Sequence, residues 1–70
     1  MITTFRLAWI AGDAYDVTRY AYTTLQAARI AAPTVNRARE TINLAPATHI
    51  ATYEDGNCVE VHRLEELAAA

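Results

Sequence analysis

Lysine is absent from this 70-residue chain, and all six basic residues are arginine. Cysteine occurs once, as Cys58, which excludes an internal disulfide and a cysteine-built zinc site. Its predicted neighbour Tyr53 supplies no activating base, so the thiol reads as an ordinary strand residue. The only glycines are Gly12 and Gly56, too few for a glycine-rich phosphate loop. No apolar run is long enough to span a bilayer, and the N-terminus lacks the charged and apolar regions of a signal peptide. The expectation is a cytoplasmic protein with no membrane attachment. Large apolar side chains are also scarce, because fifteen alanines inflate the 53% hydrophobic share. One domain over residues 1–70, with a small, flat core and marginal stability, follows from that size and composition.

What the chain does contain is a strong turn signal. Asp55-Gly56 lies between two alternating stretches, and Asp-Gly readily takes the positive φ angles of a two-residue hairpin turn. Strands at about 48–54 and 57–63 follow. Uninterrupted pairing sets Tyr53 opposite Cys58, Thr52 opposite Val59, Ile50 opposite Val61 and His49 opposite His62. Ile50, Thr52, Val59 and Val61 would then face inward, with His49, Glu60 and His62 on the other side.

Residues 2–10 alternate, with Phe5, Leu7 and Trp9 on one face and Thr4, Arg6 and Ala8 on the other, as in a half-buried strand. Aromatic and β-branched residues from Tyr15 to Tyr22 predict a second strand over 15–22. Thr24 precedes good helix formers and predicts a helix over about 24–32, closed by Pro33. That helix would rest on a sheet through its alanines, with Gln26 and Arg29 on the opposite, wet face. Residues 33–44 are ambiguous: Val35, Ala38 and Ile42 have helical spacing, whereas 39–44 alternate. The reading adopted is a loop to about Arg37, then a strand over 38–44, with Val35 plugging the sheet edge. The C-terminal Leu64-Glu65-Glu66-Leu67 and the alanines after it would add one helical turn. The expected fold is α+β: a single antiparallel sheet of four to five strands with one helix on one face.

Charge is unevenly spread. Residues 17–39 carry Arg19, Arg29, Arg37 and Arg39 with no acid, while residues 40–70 carry six acids against Arg63. Arginine and tyrosine dominate interaction hot spots. Arg19, Tyr20, Tyr22, Gln26, Arg29, Arg37 and Arg39 are therefore the expected partner-binding residues. A net charge of −2 makes nucleic acid a secondary partner for these arginines, and the alternative to a protein-binding role is a small nucleic-acid-binding domain or one that self-associates through an exposed edge strand. No self-sufficient catalytic motif, cofactor site or metal site is expected. The lesser alternative is a metal-dependent enzyme at His49, Glu60 and His62, which uninterrupted hairpin pairing would bring to one face.

Residues 24–32, Thr-Leu-Gln-Ala-Ala-Arg-Ile-Ala-Ala, followed by Tyr53-Glu54-Asp55-Gly56, resemble the helix-to-hairpin core of small phage-encoded anti-CRISPR proteins that inhibit type I Cascade complexes. The resemblance covers roughly residues 15–62. It implies a non-enzymatic inhibitor in the host cytoplasm that docks on the backbone subunits of the surveillance complex and blocks target-DNA hybridisation. It would place contacts at Gln26 and Arg29. Such relatives are richer in lysine and more basic, so lysine-dependent contacts do not carry over to this chain. The oligomeric state, monomer or homodimer, is left open by the residues.

Overall fold

The sheet is built outward from β1 (Thr3–Ala11). The structure is a computed structural model that describes residues 2–64. A tight turn at Gly12-Asp13 connects β1 to β2 (Ala14–Val17), with Gly12 supplying a φ of +65°. The chain then crosses to α1 (Leu25–Thr41) and returns as β3 (His49–Glu54) and β4 (Asn57–Arg63). Strand order is β2-β1-β3-β4, every neighbouring pair antiparallel, with α1 on one face. This is the α+β arrangement that the alternating strands and the alanine-rich helix predict.

Alternation in β1 does what half-burial requires. Leu7 is fully buried and pairs with Ile50 of β3, also fully buried. Ala28 and Ala32 of α1 and Ala47 of the returning loop close over them, with Phe5, Trp9, Tyr22, Leu25, Val35 and Leu64 packed around. Alanine at the helix contact lets α1 sit close to the sheet, and each large buried side chain contributes roughly 1.5–3 kcal/mol.

The helix is longer than the sequence reading allowed. It runs through Pro33 to Thr41, so the expected end at 32 and the expected strand over 38–44 are both corrected. Its start is capped as predicted, the Ala27 N–H donating to Thr24 Oγ1 at 3.0 Å. Past Pro33 the helix is carried by packing. Leu25, Ala28, Ala32, Val35 and Arg39 form one sheet-facing stripe, which places Val35 over the core rather than at a sheet edge. Pro33 falls on the exposed side, where the missing N–H costs one backbone bond and disturbs no packing. At the far end Asn43 takes a φ of +67°. Its N–H donates to the Glu40 carbonyl (3.0 Å) and that of Leu44 to the Arg39 carbonyl (2.8 Å), a Schellman ending. The alternation of 39–44 is thus the last turn and cap of a helix.

The second strand is also shorter than expected, Ala14–Val17 in place of 15–22. The Thr18 N–H still donates to the Leu7 carbonyl (2.9 Å), and there the Arg6 guanidinium donates to the carbonyls of Thr18 (2.8 Å) and Arg19 (2.9 Å). Backbone pairing with β1 resumes only at Tyr22, opposite Phe5.

The Asp55-Gly56 turn forms as predicted, with φ of +50° and +85°, and Tyr53 pairs with Cys58. Beyond that pair the register departs from the expected one. Val59 is an extra residue, so Thr52 pairs with Glu60, Ala51 with Val61, Ile50 with His62 and His49 with Arg63. On the sheet's second face, away from α1, Ala8 and Ala51 are buried, and Ala51 pairs with Val61. Shifting β4 by one residue assigns Val61 to that second apolar patch, while Leu64 still reaches the helix-side core. The expected inward positions of Val59 and Val61 are corrected accordingly. The predicted C-terminal helical turn falls on residues outside the described ones.

Candidate functional site

Two hollows run along the flank of α1 and meet at Pro33 and Asn36. One, of about 440 Å³, is walled by Gln26, Arg29, Ile30 and Leu64. The other, of about 320 Å³, is walled by Arg37, Glu40, Leu44 and Pro46. Together they form a trough from Gln26 to Glu40, about 21 Å of helix. Its exposed stripe, Gln26, Ile30, Pro33, Arg37 and Glu40, advances by three and four residues, so a single helix face presents it.

Asn36 fixes the floor. Its Oδ1 accepts from the Ala47 N–H at 2.7 Å and its Nδ2 donates to the Ala47 carbonyl at 3.1 Å, tying the returning loop to mid-helix. Ala47 is only 3% exposed, so the amide side chain satisfies both backbone groups of a buried residue. Pro33 adds a polar feature. With no N–H of its own it leaves the Arg29 carbonyl without its usual helical donor, beside the trough.

The seven expected binding residues separate into groups. Gln26, Arg29 and Arg37 line the trough, and among the described residues the guanidinium groups of Arg29 and Arg37 make no hydrogen bond or ion pair. Arg39 is engaged in the fold: its guanidinium carbon lies 3.7 Å from the Trp9 ring centroid and its Nε donates to the Ala45 carbonyl. Tyr22 pairs with β1 and packs against the core. Tyr20 is two-thirds exposed and leans on Tyr22, ring centroids 4.6 Å apart. Arg19 is exposed. Arg19, Tyr20 and Tyr22 lie in the crossing from β2 to α1 and line neither hollow of the trough.

No known relative marks the site. Comparison returns no matching family model, no matching curated protein and no matching solved structure. Among the described residues, no helix is long and apolar enough to cross a membrane.

The bulge at Val59 disperses the His49-Glu60-His62 constellation. His62 and Glu60 share the helix side of the sheet edge, where Nε2 and Oε2 are 3.0 Å apart and exposed. His49 lies on the opposite face, buried, its Nδ1 2.7 Å from Thr48 Oγ1 and the Tyr15 ring edge-on at 5.0 Å. Among the described residues no group of three or more His, Cys, Asp or Glu side chains converges enough to hold a metal ion. A third hollow, of about 380 Å³, opens beside His49 and is walled chiefly by Ile10, Ala47 and Leu64.

Sequence reasoning missed Asn36, Ile30 and Pro33 as parts of the site. Ile30 is 69% exposed on the same stripe as Pro33. Extending the helical period through Pro33 is the signal that gathers Gln26, Ile30, Pro33 and Arg37 into one stripe.

Proposed function

We propose that this chain is a non-enzymatic interaction protein that seats a macromolecular partner in the trough along α1. The observation that carries the reading is the pair of uncommitted guanidinium groups, Arg29 and Arg37, flanking the exposed Ile30 and Pro33 on a helix that Asn36 ties to the returning loop. Arginine is one of the residue types enriched at interaction hot spots, and Ile30 and Pro33 offer apolar area beside it. Nucleic acid as the principal partner is disfavoured by the net charge of −2 and by Glu40 in the trough wall.

The finer reading is a phage-type inhibitor. The chain acts as a rigid wedge on the backbone of a type I CRISPR surveillance complex and sterically prevents its hybridisation with target DNA. The resemblance of residues 24–32 and 53–56 to anti-CRISPR proteins supports it. Purified surveillance complex, pre-mixed with the protein and challenged with labelled target duplex in a gel-shift assay, tests both levels. Wild type should abolish the shift, and Arg29→Glu should restore it with an unchanged circular dichroism spectrum. An undiminished shift at saturating wild type dismisses the inhibitor reading, and full inhibition by Arg29→Glu moves the interface away from the trough.

A further inference from the structure

Resting on the trough being the interface, we infer that its occupant is an acidic amphipathic helix, carrying two carboxylates about two turns apart with apolar side chains between them. Arg29 and Arg37 are separated by eight residues, about 12 Å along α1. A helix lying beside α1 has the same rise, so carboxylates seven or eight positions apart reach both guanidinium groups, and residues between them meet Ile30 and Pro33. The cations are available: among the described residues neither guanidinium has a partner, whereas those of Arg6 and Arg39 are bonded within the fold. Charge selects the sign. The trough holds Arg29 and Arg37 against the one carboxylate of Glu40, a local +1 in a chain of net charge −2, so paired carboxylates set at the two arginines are drawn to this flank while the end of the occupant beside Glu40 carries no acid.

The alternatives fit less well. An extended peptide needs a row of free backbone groups, and the trough is walled by a helix whose groups, apart from the Arg29 carbonyl, are committed to their own turns. The open sheet edges are β2, only four residues long and carrying Asp16, and β4, which is broken by the Val59 bulge and carries Glu60. A nucleic acid strand would meet apolar walls at Ile30, Pro33 and Leu44 and the carboxylate of Glu40. Its phosphates would find only two cations.

The test uses the full chain and three labelled probes in fluorescence anisotropy at low salt. One is an alanine-based helical peptide with two glutamates seven residues apart and two leucines between them; the second has lysines replacing the glutamates; the third is a single-stranded oligonucleotide. The acidic peptide should bind at least about tenfold tighter than either of the others. The Arg29→Glu/Arg37→Glu variant should invert the order of the two peptides, a charge swap that general loss of structure cannot produce. Equal binding of the two peptides, or tighter binding of the oligonucleotide, overturns the proposal. A tenfold tightening of the acidic peptide in a Glu65→Gln/Glu66→Gln variant assigns the trough to the chain's own glutamates and overturns an external occupant. If Arg29→Glu relieves inhibition of the surveillance complex while the peptides show no preference, the trough remains an interface and the acidic helix is discarded.

Discussion

Replacing Asn36 with alanine should cost this protein a large part of its stability, although Asn36 is neither apolar nor fully buried. The substitution removes two hydrogen bonds, of 2.7 and 3.1 Å, and leaves the N–H and C=O of the 3%-exposed Ala47 without partners. Each bond contributes about 1 kcal/mol net, and stranding the buried groups adds about 1–2 kcal/mol more. Alanine returns about 0.5 kcal/mol through its better helix propensity. The balance is a loss of about 2.5–3.5 kcal/mol, against a total stability on the order of 4–10 kcal/mol for a domain of this size. The melting temperature should fall by about 10–28 °C. Urea unfolding followed by Trp9 fluorescence and by helical circular dichroism measures the difference, with Thr34→Ala on the exposed helix surface as control. A midpoint for Asn36→Ala equal to that of Thr34→Ala, at unchanged m-value, would refute the idea that one amide couples the loop to the helix. Asn36→Asp sharpens the test. It keeps the acceptor facing the Ala47 N–H but sets a carboxylate oxygen against the Ala47 carbonyl, so it should rescue little.

Pro33→Ala restores a helical donor to the Arg29 carbonyl on an exposed face, and thermal melts should show stabilisation by about 1–3 kcal/mol; an unchanged melting temperature would count against a strained helix at that point. Arg39→Ala removes the guanidinium over Trp9 and the bond to Ala45. It should destabilise by about 1–2 kcal/mol and shift Trp9 emission to longer wavelength, which a fluorescence spectrum reads directly. Gly56→Ala meets no heavy atom within 4 Å, so its cost is confined to a φ of +85°. Chemical denaturation should show a loss of about 1 kcal/mol with retained β-sheet signal.

Much of the fold was legible because β1, the Asp55-Gly56 turn and the Thr24 cap are each decided by neighbours in sequence. Alternation sorted Phe5, Leu7 and Trp9 from Arg6 and Ala8 without knowledge of any partner strand. The errors arose where distant contacts outweigh local preference. Pro33 reads as a stop, yet Val35 and Arg39 find the core and Trp9 only if the helix continues past it. The Val59 bulge is invisible in a hairpin read alone, because Asp55-Gly56 decides the turn and the Tyr53–Cys58 pair but not the register beyond it. At the candidate site, arginine content drew attention to Arg29 and Arg37 but also to Arg39, which the fold itself occupies. Asn36 carried no signal at all, since its partner is the backbone of a residue in another element.

The position of β1 at the centre of the sheet has a consequence for how the chain acquires its structure. Thr3 pairs with Glu54 and Ala8 with His49, so the first strand to be synthesised must wait for almost the whole chain before its main ladder can form. The β1–β2 hairpin, α1 and the β3–β4 hairpin can each form on local contacts within microseconds. Closing the long loop between β1 and β3 is the entropically expensive step, and only then is Leu7 covered. A nascent chain that has not yet released β3 therefore exposes Leu7 together with an unpaired strand edge, and refolding should be limited by this single non-local closure.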